Sequence, residues 1–100
     1  MVAQEVELPM AEIMALCSRY RVRELALFGS VLRDDFRADS DIDMLVEFAP
    51  DAEVGFMTLA GMARELSVLL HRKVDLVPKA GLKQRIRREV LAGSKVLYAA

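Results

Sequence analysis

Three aspartates stand where the sequence predicts β-strands. Asp41 and Asp43 open an apolar run that ends at Phe48, and Asp75 lies in the middle of a later run. Residues two apart on a strand point to the same side, about 6–7 Å apart along the chain. Carboxylates at that distance repel each other unless a cation lies between them, and Mg²⁺ prefers such oxygen ligands together with substrate phosphates. If the two strands are neighbours, the three carboxylates predict a pair of metal sites.

A glycine and two polar residues precede these aspartates and suit a phosphate. Gly29 removes a side chain where a phosphate must approach the backbone, and the Ser30 hydroxyl and the amides of a following helix can bind phosphate oxygens. Arg33, about one helical turn later, can add a charge-assisted contact. A triphosphate held at these residues, with metals on the aspartates, would support phosphoryl or nucleotidyl transfer by positioning and electrostatics.

The elements that must position these residues follow from the periodicity of apolar side chains. We predict a helix starting near Pro9 and reaching Tyr20, strands over Glu24–Phe28 and Ile42–Phe48, a helix over Phe56–Leu70, a strand over Lys73–Val77, a helix over Leu82–Ala92 and a terminal strand or extended tail at Val96–Tyr98. A helical piece at Val31–Arg33, capped by Ser30, and a loop over 34–40 lie between the first two strands.

This order of elements predicts an α/β (α+β) fold, a small mixed sheet flanked by helices, in one domain over 1–100. The connection between the first two strands is too short for a full parallel crossover, so that pair could be antiparallel. The link from the second strand to the third allows either direction.

Apolar stripes predict which faces are buried. In the first helix the stripe is Met10, Ile13, Met14, Cys17 and Tyr20; in the second it is Phe56, Leu59, Ala63, Leu66 and Leu70; in the second strand Ile42, Met44, Val46 and Phe48 share one face. Cys17 is therefore interpreted as a core residue, and His71 as a charge or cap at a helix end.

Composition limits the classes of function. The chain has 100 residues, 54% of them hydrophobic, and a net charge of −1, so no global basic field attracts nucleic acid or membrane. The basic run Lys83–Arg88 is typical of a solvated helix face. Of two alternatives, docking to an acidic partner is favoured over contact with nucleic acid, since the run has no interleaved aromatics for stacking on bases. A lone cysteine, no apolar run of roughly 20 residues and no signal-peptide pattern predict a cytoplasmic protein without a membrane span.

The motif residues resemble a known family. Gly29-Ser30, ten intervening residues and Asp41-Ile42-Asp43 are similar to the signature of the nucleotidyltransferase superfamily that includes DNA polymerase beta. The fuller string, from Phe28 to Val46, resembles the minimal nucleotidyltransferases (MNT family) of bacteria and archaea. The likeness continues to Tyr98 and covers nearly the whole chain.

The resemblance assigns roles to the motif. It implies that Gly29 and Ser30 grip a nucleotide triphosphate, ATP being the expected substrate, and that Asp41 and Asp43 hold two Mg²⁺ or Mn²⁺ ions. It implies that Asp75 binds the catalytic ion and helps to activate the attacking hydroxyl.

The resemblance also implies a partner. MNT proteins are commonly encoded beside an all-helical HEPN toxin, act as its antitoxin, and in some systems transfer AMP from ATP to a tyrosine of that toxin. One alternative is a binding module that neutralises its partner by complex formation without catalysis. Another is a subunit that transfers nucleotides to RNA ends or a small molecule. The nucleotide, the acceptor and a homo- or hetero-oligomeric state stay open.

Overall fold

The computed structural model describes residues 8–29, 41–82, 88 and 90–100. The elements, in chain order, are α1 (Met10–Arg19), β1 (Val22–Phe28), β2 (Ile42–Phe48), α2 (Phe56–Leu70), β3 (Val74–Pro78), a short 3-10 turn (Lys79–Gly81) and β4 (Lys95–Ala99). Residues 88 and 90–92 are also helical. The predicted α+β fold, a small mixed sheet with helices, is confirmed.

Most of the predicted helices and strands are found at or near their predicted positions. The bounds predicted for β2 and α2 are those of the structure, and β1 starts two residues earlier than predicted. Leu82 has an extended backbone, so the start of the last helix at that residue is wrong. The predicted helical piece Val31–Arg33, the loop over 34–40 and residues 83–87 and 89 of the last helix lie outside the described residues.

The strands form one mixed sheet in the order β3-β2-β1-β4. β1 is antiparallel to both β2 and β4, so the antiparallel option for the first two strands is confirmed. β2 and β3 are parallel, because α2 lies in the connection and supplies the crossover length that a parallel pair needs.

Both helices contribute to one apolar core with the sheet. α1 packs against β1 and α2, and α2 packs against β3. The fully or almost fully buried members of this core are Ile13, Leu16, Cys17, Val22, Leu25, Leu27, Ile42, Met44, Val46, Met62, Leu66, Leu70, Val74 and Leu76. No helix in the described ranges is long and apolar enough to cross a membrane.

Two residues of the predicted stripes are outside the core. The side chain of Met14 is 51% exposed and that of Phe56 is 81% exposed. At 100° per residue, Met14 lies about 100° from Ile13, and Phe56 lies about 80° from Leu66 at the edge of the α2 stripe. The periodicity of apolar residues therefore predicted both stripes but wrongly included these two exposed side chains.

A polar cluster joins the end of α1 to α2. The Glu65 carboxylate accepts a hydrogen bond from the Tyr20 hydroxyl and another from the Arg19 guanidinium, the latter 2.7 Å long. The Arg19 guanidinium also lies 5.4 Å from the centre of the Tyr20 ring. The hydrogen bond from Tyr20, and then that from Arg19, hold the pKa of Glu65 below its ordinary value of 4.5.

This cluster predicts an acid-sensitive contribution to stability. A lowered folded-state pKa means that ionised Glu65 stabilises the protein above about pH 4.5, and that this contribution is lost as the pH falls through the folded-state pKa. Chemical denaturation of the native protein and of Glu65→Gln should therefore differ most near neutral pH and converge below pH 4.5. A constant difference across this range would contradict the assignment.

The core predicts a large contrast between two apolar residues of α2. Leu66→Ala removes a fully buried side chain and should lower the free energy of unfolding by about 2–5 kcal/mol. Phe56→Ala removes a larger but exposed side chain and should change it by less than about 1 kcal/mol. Urea denaturation of the two variants measures both values, and similar losses would contradict the observed orientation of α2.

Candidate active site

The parallel register of β2 and β3 brings two of the three predicted aspartates together. Asp43 is the direct register partner of Asp75, as Ile42 is of Val74. Ile42 and Val74 are buried against the helices, and side chains alternate along a strand, so both aspartates lie on the opposite face of the sheet. Asp75 is exposed and Asp43 is half-buried. The condition set on Asp75, a strand next to that of Asp43, is met.

A serine of α2 fixes where β3 begins. The Ser67 hydroxyl accepts a hydrogen bond of 2.9 Å from the Val74 N–H and donates one of 2.8 Å to the Ala63 carbonyl. α2 ends at Leu70, and the next residue, His71, is its C-cap and has a left-handed conformation (φ 54°), so the predicted role of His71 as a cap is confirmed. Ser67 was not predicted, because one serine near a helix end carries no distinctive sequence signal.

Gly29 lies next to the Asp43 carboxylate. It follows β1 directly and has a φ of 77°, a region that favours glycine. A Cβ atom at this position would overlap Oδ2 of Asp43 and lie 3.2 Å from its Cγ. The missing side chain at Gly29 thus leaves room for the Asp43 carboxylate beside the backbone. The phosphate contact predicted at Gly29 stays a prediction.

The remaining predicted aspartate, Asp41, lies near a lysine. Asp41 immediately precedes β2, and its Oδ2 lies 3.9 Å from Nζ of Lys73. The backbones at this point are also joined, since the Ile42 N–H donates to the Lys73 carbonyl at 2.9 Å. Lys73 was predicted only as the start of a strand. Its contact depends on the strand register, which sequence periodicity left open.

The donor chemistry of these residues fits a hard divalent cation. Asp41, Asp43 and Asp75 supply only carboxylate oxygens, and the two on adjacent strands are register partners. Within the described ranges, no three His, Cys, Asp or Glu side chains form a group that could hold a metal ion by itself. Mg²⁺ commonly takes one or two carboxylates and completes its shell with water and substrate phosphates, so this open arrangement suits an ion that binds with a nucleotide.

Other candidate residues are structural or lie outside the described ranges. Cys17 is buried, and burial raises its pKa to about 11, so the thiol stays protonated as a core residue. Ser30 and Arg33, predicted to bind phosphate, are outside the described residues. The site residues that the structure describes, Gly29, Asp41, Asp43 and Asp75, lie at or near the ends of β1, β2 and β3.

A second charged cluster lies at the far end of these strands. Glu24 and Glu47 are register partners of like charge on β1 and β2, and Lys79 lies between them. Its Nζ is 2.8 Å from Glu24 and 3.7 Å from Glu47, and the hydrogen bond to Glu24 raises the pKa of Lys79. This cluster neutralises a repulsive pair and is separate from the aspartates.

Comparison with known proteins gives consistent matches. Residues 13–97 match the nucleotidyltransferase domain family. The chain is 38% identical over 76 residues to the protein adenylyltransferase MntA of Thermococcus cleftensis, covering 76% of this chain and 75% of that protein.

Solved structures show the same fold. A toxin–antitoxin crystal structure with AMP-PNP has a TM-score of 0.75 at 24% identity, covering 93% of this chain and 75% of that one. The complex of a tri-AMPylated Shewanella oneidensis HEPN toxin with an MNT antitoxin has a TM-score of 0.67 at 22% identity, covering 91% of this chain and 70% of that one.

The close approach at Gly29 predicts a position-specific cost. Gly29→Ala places a methyl group against the Asp43 carboxylate on a backbone with positive φ, and should lower the free energy of unfolding by about 1–3 kcal/mol. Gly81→Ala is the matched control, since a Cβ there meets nothing within 4 Å, and it should be neutral or slightly stabilising. Thermal and urea unfolding of both variants test the contrast; equal stability of the two would contradict the observed packing.

Proposed function

Because this chain belongs to the nucleotidyltransferase domain family, we propose that it transfers an AMP unit from ATP to a hydroxyl group of a partner protein. The observation that carries the proposal is the register of β2 and β3, which sets Asp43 beside Asp75. Gly29 meets the same carboxylate from the end of β1. Gly29, one of the residues proposed to bind phosphate, thus lies at the same end of the sheet as this pair of carboxylates.

The similar proteins support a protein acceptor. The Thermococcus relative is a protein adenylyltransferase, and the Shewanella complex holds a HEPN toxin that carries AMP groups. We propose that a HEPN-type toxin is the partner of this chain and that this chain acts as the antitoxin. We further propose that the reaction takes place in the cytoplasm, which contains ATP and keeps thiols such as that of Cys17 reduced.

Each site residue has a proposed role. Asp41, Asp43 and Asp75 bind two divalent cations, Mg²⁺ or Mn²⁺, while Gly29, with Ser30 and Arg33, holds the triphosphate. When bound, such cations neutralise phosphate charge and polarise the reacting phosphoryl group. The residues of the chain hold ligands in position, which is the main contribution of a protein to phosphoryl-type transfer.

The transfer itself is a displacement at phosphorus. The acceptor hydroxyl oxygen forms a bond to the α-phosphorus of ATP, the bond from that phosphorus to the oxygen leading to the β-phosphate breaks, and pyrophosphate leaves. The Asp75 carboxylate takes the hydroxyl proton. β3 is an edge strand and Asp75 is exposed on it, so the acceptor of a separate protein can reach this carboxylate.

The proposal predicts loss of transfer on loss of the carboxylates. With Mg²⁺, α-labelled ATP and the product of the neighbouring gene, which the proposal expects to be a HEPN protein, the native chain should label that partner. Asp41→Asn with Asp43→Asn, and Asp75→Asn alone, should each reduce the rate by roughly 100-fold or more, as the loss of preorganised electrostatic contacts does elsewhere. Glu47→Gln removes a carboxylate from the far cluster and should label at the native rate.

The same variants separate the two candidate roles. Equal labelling by the native chain and the Asp41→Asn, Asp43→Asn double variant would contradict catalysis at this site. If the double variant still suppresses the toxicity of the partner in cells, neutralisation rests on complex formation instead. Suppression that disappears together with labelling supports the transferase.

A further inference from the structure

Lys73 lies beside Asp41, one of the proposed metal ligands. Lys73 lies two residues before Asp75, and the Ile42 N–H donates to its carbonyl, so Lys73 directly precedes the paired residues of β3. Alternation along the two strands therefore puts Lys73 on the same face as the three aspartates. Its ammonium lies 3.9 Å from Oδ2 of Asp41. Among the described residues, this end of the sheet thus carries the carboxylates of Asp41, Asp43 and Asp75 and the ammonium of Lys73.

An ammonium at this distance opposes a metal ion in two ways. It attracts the Asp41 oxygen that the ion would use, and it repels any cation placed between the aspartates. The side chains of Lys73 and Asp41 are 77% and 49% exposed, so water screens the pair and its effect on binding is moderate. A moderate contact of this kind can be displaced by a ligand.

We propose that Lys73 is a built-in competitor for the divalent cation at Asp41, and that it couples cation binding to nucleotide binding. This inference rests on the proposed function. Without nucleotide, the ammonium pairs with Asp41 and lowers the affinity of the site for the cation. With nucleotide, the phosphates add ligands for the cation and negative charge for the ammonium, so the competition is relieved.

The inference is tested by Mn²⁺ titration, with free Mn²⁺ followed by electron paramagnetic resonance. Without nucleotide, Lys73→Met should bind Mn²⁺ about two- to tenfold more tightly than the native protein, as expected for removal of one cation near 4 Å in a water-rich setting. With a non-hydrolysable ATP analogue the gain should shrink. Nucleotide should therefore raise Mn²⁺ affinity less in the variant than in the native protein.

Two further variants control for charge. Lys73→Arg keeps the cation and should bind Mn²⁺ nearly as the native protein does. Arg21→Met removes an equal charge from an exposed ion pair with Asp51, in which the two groups are 2.5 Å apart, beyond the opposite end of β2. At about 3.3 Å per residue this is roughly 20 Å from Asp41, and Mn²⁺ affinity should be unchanged.

The outcomes separate this inference from the proposed function. If Lys73→Met binds Mn²⁺ no more tightly than the native protein, or less tightly, Lys73 does not compete and the inference is overturned. The metal assignment of the proposed function would then survive. If the native protein binds Mn²⁺ no better than the Asp41→Asn, Asp43→Asn variant, the metal assignment and the inference both fail.

Discussion

The parallel pairing of β2 with β3 is the constraint on which the site depends. Asp43 and Asp75 are far apart in sequence, and only this register makes them neighbours. The pairing needs the α2 crossover, and the hydrogen bond from the Val74 N–H to Ser67 fixes where β3 starts beside the end of that helix. A shift of one residue would turn the Asp75 carboxylate towards the core and replace it with an apolar side chain.

Local sequence patterns were sufficient to predict most of the helices and strands. The alternation in β2 and the apolar stripe of α2 predicted the bounds of both elements, because each pattern is long and is flanked by turn residues. The same alternation put Asp43 on the face opposite Ile42, as observed. The adjacency of Asp75 could only be stated as a condition, since periodicity does not determine which strands are neighbours.

What the sequence did not predict depends on tertiary packing. The exposure of Phe56 depends on how α2 is rotated over the sheet, which the stripe defines only to within a broad arc. Gly29 was predicted to let a phosphate approach the backbone, which stays a prediction; that its missing side chain also leaves room for the Asp43 carboxylate depends on the pairing of β1 with β2. The contacts of Ser67 and Lys73 follow from strand register, and neither residue belongs to a motif.

The position of β1 in the sheet also affects how the protein reaches its native state. β1 carries Gly29 at its end, and its second edge is completed by β4, with Leu27 paired to Lys95 from a distant part of the chain. Closing so long a loop has an entropic cost before any contact forms, so such sheets fold more slowly than helical proteins of similar size. Until β4 docks, the open edge of β1 can pair with another chain. The yield of functional protein should therefore depend on how dilute the chains are while they fold.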